Sequence, residues 1–120
     1  MRPLDIVVRL EWLAVFAAAV AFYAFAGGSW FLFLILFLAP DLSMAGYLAG
    51  PRAGAFAYNA LHTVALPLCL LIFGIFADQI LAAQLAAIWM AHIGFDRALG
   101  YGLKAASGFH DTHMGPIGRR

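Results

Sequence analysis

Charge and cysteine are both scarce in this chain of 120 residues. Only 11% of the residues are charged and 65% are hydrophobic. A soluble domain has an apolar fraction of about one half, so this composition predicts a membrane protein. The formal net charge of +1 is too small to predict nucleic acid as a partner. Because Cys69 is the single cysteine, a disulfide framework within the chain is excluded.

Lysine and arginine are also missing from two of the turn-like breaks in the apolar sequence, Gly27–Ser29 and Ala77–Gln79. Positively charged loops stay in the cytoplasm, so the distribution of basic residues predicts an orientation with both termini cytoplasmic. All the basic residues lie before the first apolar segment, between the second and third, or at and after the end of the fourth: Arg2, Arg9, Arg52, Arg97, Lys104, Arg119 and Arg120.

Four apolar segments are present, and each approaches the ~20 residues that cross a hydrocarbon core. They predict an all-α fold, a four-transmembrane-helix bundle forming a single integral membrane domain over residues 1–120. Pro40 removes a backbone donor and predicts a kink in the second span. The predicted spans are residues 10–26, 30–49, 55–76 and 80–100, followed by a short cytoplasmic tail over residues 101–120.

Small residues recur on two of the predicted spans, where they would allow close helix packing. The first span has such a face at Ala14, Ala17, Ala18 and Ala21. On the fourth span, small residues would serve either a homo-oligomer or packing within one monomer. Gly46 and Gly50 are candidates for the same contacts. The face on the fourth span consists of Ala83, Ala87 and Ala91.

Polar residues inside the spans are predicted to lie at one depth. Asp41, His62 and His92 are each about eight residues from the cytoplasmic end of their span, which at ~1.5 Å per residue is roughly 12 Å. Asn59 and His62 are three residues apart, and His92 and Asp96 are four apart, so each pair shares a helix face. Ionisable residues within a membrane usually face the bundle interior with a partner. We therefore expect a polar cluster that opens to the cytoplasm.

Two imidazoles and two carboxylates are sufficient donors for Zn or Fe. The predicted ligands are His62, His92 and Asp96, with Asp41 as a fourth ligand or as a catalytic general base. Such a metal would activate water at the level of the lipid headgroups, which predicts a small hydrolase at the membrane surface. In the tail, Asp111 and His113 are further candidate ligands, and within the bundle Asn59 and Arg97 are predicted to orient the substrate.

Two other classes of function fit the same residues. The protein could be a non-enzymatic accessory subunit of a larger membrane complex, or a homo-oligomer, in which the polar cluster only fixes helix packing. Alternatively, it could be a proton-coupled carrier in which His62 and His92 titrate near neutral pH. Most of the tyrosines and tryptophans, including Tyr58 and Trp89, are typical of interfacial anchors or core residues.

Several short motifs resemble a known family. The resemblance is to small bacterial four-helix membrane proteins classed as a domain of unknown function, number 4260. It covers the chain from about Phe37 to Gly118, and it implies the four-helix fold and a location in the bacterial inner membrane, without implying an activity. The motifs are Ala39–Met44 with Gly46-Tyr47, Tyr58-Asn59 with His62, Ala91–Arg97 with Gly100–Lys104, and Gly108-Phe109 with Asp111–His113.

Overall fold

The structure is a computed structural model, and it describes residues 2–41 and 48–100. These residues form α-helices and no strands, which confirms the predicted all-α class. Ser29 begins the second helix, because its hydroxyl accepts a hydrogen bond of 3.3 Å from the Leu32 amide. The helices are α1 (Pro3–Phe25), α2 (Trp30–Phe37), α3 (Pro51–His62), α4 (Ala65–Phe76) and α5 (Ile80–Ala98).

The second predicted span does not continue as one helix. α2 ends at Phe37, and a 3₁₀ turn at residues 39–41 follows it. This end agrees with the disruption predicted at Pro40, since a proline ring clashes with the preceding turn and supplies no backbone donor. Residues 42–47 of the predicted span lie outside the described residues.

The third predicted span, residues 55–76, lies within the apolar helical segment Pro51–Phe76, which is interrupted once. It is divided into α3 and α4, which are separated by Thr63 and Val64, and Thr63 is extended with φ −85° and ψ 140°. Pro67 lies four residues after Thr63 and has no N–H to bond the Thr63 carbonyl. The break therefore follows from Pro67, and it leaves His62 as the last residue of α3.

α5 is the helix around which the others pack. It runs antiparallel to α1: Gly94 lies against the backbone of Trp12 and Phe16, and Gln84 Nε2 donates to the Ala26 carbonyl at 2.9 Å. A β-carbon on Gly94 would lie 2.9 Å from the Phe16 nitrogen, so only glycine permits this approach. On another face of α5, the backbone of Ala83 lies against Gly74 of α4.

The small residues of α5 serve packing within this chain, because Ala83, Ala87 and Ala91 are all buried. The small-residue face predicted for the first span does not pack within this chain. The buried residues of α1 are Ala19 and Tyr23, of which Tyr23 is fully buried. The residues of the predicted face are exposed: Ala14, Ala17, Ala18 and Ala21.

Within residues 2–41 and 48–100, two helical segments are long and apolar enough to cross a membrane. They are Pro3–Phe25, and Pro51–Phe76, which combines α3 and α4. Only 11% and 17% of their most apolar windows are buried, so neither is the covered core helix of a globular domain. The segment Trp30–Asp41 is apolar but shorter.

Candidate metal centre

Four side chains from three parts of the chain bring their donor atoms to one point inside the bundle. They are Asp41 after α2, His62 at the end of α3, and His92 and Asp96 on α5. Their donor atoms all lie within 4.8 Å of one another. This is the cluster that equal depth in the spans predicted, and we call these four residues the His/Asp cluster.

The distances within the His/Asp cluster are close to those of a metal coordination shell. His62 Nε2 lies 3.0 Å from His92 Nε2 and 3.4 Å from oxygens of both Asp41 and Asp96. His92 Nε2 lies 3.2 Å from Asp41 Oδ1 and 3.1 Å from Asp96 Oδ2. A tetrahedral ion with bonds of about 2.0–2.1 Å separates its ligands by about 3.3–3.4 Å. One ion with such bonds would therefore need only small adjustments of the four side chains.

The local fold explains why each donor points inward. His92 and Asp96 are four residues apart on α5, so both side chains leave the same face of the helix. Asp41 lies in the 3₁₀ turn, in which its amide donates to the Leu38 carbonyl at 3.2 Å. If α2 continued beyond Phe37, Asp41 would lie in a regular α-helix instead of this turn.

His62 is held in one ring orientation and one tautomer. Its Nδ1 lies 2.9 Å from the Tyr58 carbonyl, and a carbonyl can only accept, so Nδ1 carries the proton. The ring also stacks on the Tyr58 ring, with centroids 3.8 Å apart and planes 5° from parallel. Nε2 therefore presents its lone pair to the His/Asp cluster. Histidines that bind metals are usually oriented by this kind of backbone hydrogen bond.

Side chains of α5 bond the carbonyls that the break after His62 leaves without helical partners. Trp89 Nε1 donates to the Leu61 carbonyl at 2.6 Å, and the buried Arg97 guanidinium donates to the His62 carbonyl at 3.2 Å. Arg97 also lies over the Trp12 ring, 4.4 Å from its centroid. The end of α3 is thus fixed to the same helix that carries His92 and Asp96.

His92 lies in the least accessible part of the cluster, with only 1% of its surface exposed. Its ring meets the edge of Phe37, with centroids 5.4 Å apart. Its Nδ1 is buried and has no hydrogen-bond partner within the part of the chain that the structure describes. The Phe37 backbone is the group outside the cluster that interacts with the His92 ring, and Nε2 is the atom that faces the other donors.

The net charge of the donors favours a cation. Two ionised carboxylates and two neutral imidazoles carry a charge of about −2, and an unpaired buried charge is strongly unfavourable. A divalent ion would neutralise them. Without such an ion, the contacts among the four side chains are those between the imidazoles and the carboxylates, which is the arrangement that the packing alternative needs.

The remaining predicted residues are not among the four donors. Asn59 is partly exposed on α3, one turn before His62. Arg97 contacts the His62 backbone and Trp12 rather than the donor atoms. Asp111 and His113 lie outside the described residues.

Sequence reasoning missed the supporting roles of Tyr58 and Trp89. Both were interpreted as anchors or core residues, whereas Tyr58 positions the His62 ring and Trp89 bonds the end of α3. A signal for both was available: Tyr58 precedes His62 by four residues and Trp89 precedes His92 by three, so each shares a helix face with a donor.

The fold and the cluster together define a small all-α protein with a buried His/Asp donor set. The family model described as "Domain of unknown function (DUF4260)" matches residues 5–117, so the chain belongs to this family. This confirms the family resemblance that the short motifs indicated. Comparison with curated proteins and with solved structures gave no match.

Proposed function

We propose that this protein is an integral membrane protein whose His/Asp cluster binds a divalent metal, Zn or Fe, and hydrolyses a substrate at the level of the lipid headgroups. The observation that carries the proposal is the convergence of four potential metal-binding donors from three parts of the chain within 4.8 Å. Its two parts, membrane insertion and metal chemistry, rest on different observations.

Membrane insertion is supported by what the helices expose. Large apolar side chains cover their outer faces, and the extremes are Phe25 and Phe76, which are 89% and 86% exposed. Monomeric soluble proteins rarely expose continuous apolar surfaces of this kind. With the one-sided distribution of Arg and Lys, this favours four spans with both termini in the cytoplasm of a bacterium.

A break within the third span is compatible with this location. Non-helical backbone at membrane depth is tolerated only where the protein satisfies its polar groups. At the end of α3 this condition is met by Trp89 and Arg97, which donate to the Leu61 and His62 carbonyls. The break between α3 and α4 would then belong to the site.

In the proposed site, His62, His92 and Asp96 hold the metal. A bound metal of this type polarises the group under attack and lowers the pKa of its water to about 7. Asp41 is the most accessible donor, with 42% of its side chain exposed against 17% for Asp96. Asp41 is therefore the residue best placed to change between a fourth ligand and a general base that accepts a proton from water.

The two predicted substrate-orienting residues hold different positions. The guanidinium of Arg97 is already engaged with the His62 carbonyl, so we propose that Arg97 positions His62. Asn59 remains the proposed contact for substrate, since it lies one turn from His62 and is partly exposed.

Metal content of the detergent-purified protein tests the proposal. Wild type should bind Zn or Fe at close to one ion per chain, and the His62→Ala, His92→Ala double variant should bind none. Asp78→Asn is the matched control, because Asp78 is exposed in a turn with φ 55°, a conformation that asparagine tolerates. Wild-type protein that binds neither metal when supplied with it, while folded, would contradict the proposal.

The accessory-subunit alternative is favoured by one observation. His62 and His92 already lie 3.0 Å apart and within reach of both carboxylates, so a protonated cluster could join the helices without metal. In that case His62→Ala would lower the thermal stability by the same amount with and without added metal. Under the metal proposal, only wild type gains stability when metal is added.

A further inference from the structure

An apolar cavity adjoins the His/Asp cluster, and the chemistry proposed above does not use it. Its volume is about 230 Å³, and it opens to the surface between α2, the end of α3, and α5. Its lining includes Leu36, Pro40, Leu61, Leu85, Ile88 and Trp89.

The cavity and the cluster are connected through the chain itself. Pro40 and Leu61 line the cavity and directly precede the cluster residues Asp41 and His62. On α5, Ile88 lines the cavity one turn before His92, a rise of about 5–6 Å. The cavity therefore begins within one residue or one helical turn of three of the four donors.

The lining selects an apolar occupant. The indole N–H of Trp89 is the polar side-chain group among the lining residues, and it is already donated to the Leu61 carbonyl. An alkyl chain can enter such a cavity without leaving a polar group unpaired.

The order of groups along α5 matches the order of groups along a lipid. Leu85, Ile88 and Trp89 of the cavity come first, and His92 and Asp96 of the cluster follow. If the end of α5 faces the cytoplasm, the cavity lies nearer the bilayer midplane than the cluster. An inner-leaflet lipid is arranged in the same way, with its chains inward and its headgroup at the cytoplasmic side.

We propose that the cavity holds one acyl chain of a membrane lipid and that the headgroup end of that lipid lies at the His/Asp cluster. This inference rests on the proposed metal function and names its substrate class. The substrate would be a lipid or lipid-like amphiphile, with specificity for chain length set by this cavity. The residues involved are distinct from the donors, so the two proposals can fail separately.

Alkyl hydroxamates provide the test, because the hydroxamate group chelates Zn or Co while the chain length can be varied. Binding would be followed on Co²⁺-loaded protein by the change in its visible absorption. Acetohydroxamate measures the metal site alone, and octanohydroxamate adds a chain for the cavity. All variants are compared in one detergent, so partition of the chain into micelles is the same for each.

Two variants fill the cavity from different helices, Leu85→Trp on α5 and Leu36→Trp on α2. Both should weaken octanohydroxamate binding at least tenfold, because several buried methylene groups would be displaced, each contributing a factor of about four in affinity. Acetohydroxamate binding should stay within twofold of wild type, which also shows that the metal site is intact. The matched controls are Leu81→Trp and Ile35→Trp, which add the same side chain at exposed positions.

Each outcome decides one of the two proposals. Unchanged octanohydroxamate affinity in Leu85→Trp or Leu36→Trp, with acetohydroxamate still bound, would overturn the acyl-chain site and leave the metal proposal standing. A wild-type protein that takes up neither Co²⁺ nor acetohydroxamate would overturn the metal proposal instead. If one cavity variant loses Co²⁺ through misfolding, the variant on the other helix supplies the decision.

Discussion

The two halves of α5 are built from different residues and make different kinds of contact. The first half, Ile80–Ile88, packs through small apolar residues: Ala83, Ala86 and Ala87 are buried, and the backbone lies against Gly74 of α4. The second half, Trp89–Ala98, also packs closely through Ala91 and Gly94, but in addition it presents an indole, an imidazole, a carboxylate and a guanidinium to the ends of α2 and α3.

This difference shows how one helix of 19 residues can serve both packing and a candidate site. Close packing against α1 and α4 fixes the position of α5, so its polar side chains need few other constraints. The second half of α5, which we call the polar half, in turn depends on partners or a cation that neutralise its charged side chains. We expect changes in packing to affect the whole protein, and changes in metal or in hydrogen bonding to affect the polar half alone.

The largest effect should come from Gly94→Leu, which breaks the packing that both halves share. A β-carbon at this position would meet backbone atoms of Trp12 and Phe16 in α1, which cannot move aside as a side chain can. We expect a loss of about 3 kcal/mol in unfolding free energy, the upper part of the range for overpacking. Thermal or denaturant unfolding in detergent measures it. Ala17→Leu, at an exposed position of α1, should change stability by less than about 0.5 kcal/mol.

A Gly94→Leu variant with wild-type stability and wild-type metal binding would contradict the conclusion that close packing against α1 fixes the position of α5. It would mean that α1 can withdraw from α5 without moving His92 or Asp96, although both lie two residues from Gly94. Metal affinity should therefore be measured on the same sample.

The meeting of the donor side chains could be predicted from the sequence. The hydrogen bonds that fix the end of α3 could not. Asp41, His62 and His92 have equal spacing from the span ends, and a helix has a constant rise, so equal depth followed from the sequence. The break after His62 was missed, because Pro67 marks a disturbance of the helix but not whether the chain kinks or divides. The bonds of Trp89 and Arg97 to carbonyls of α3 depend on that break, so they were hidden with it.

A second, intermediate effect should appear when metal is removed. Metal at 100 times its dissociation constant should add about 2.7 kcal/mol to the stability of wild type. Hydrogen exchange should show where this acts: chelation should speed exchange at Tyr58–His62 and Trp89–Arg97, while the interior of α1 changes little. The His62→Ala, His92→Ala double variant is the control and should respond to neither metal nor chelator. Uniform loss of protection along all helices would argue against the division of α5 into two halves.

The smallest effect should come from Trp89→Phe, which removes one N–H and keeps an aromatic ring. The Leu61 carbonyl would lose its 2.6 Å hydrogen bond, and an unsatisfied buried acceptor costs about 1–3 kcal/mol. Because Leu61 directly precedes His62, we expect metal affinity to fall by about tenfold, the lower end of the range for groups that orient a ligand. Competition with a chelator of known affinity measures this change.

Trp30→Phe is the matched control, since Trp30 is 51% exposed and contacts Tyr23 rather than α3, and it should leave metal affinity unchanged. Equal metal affinity in wild type and Trp89→Phe would show that the end of α3 is positioned by Arg97 and Tyr58 without the indole.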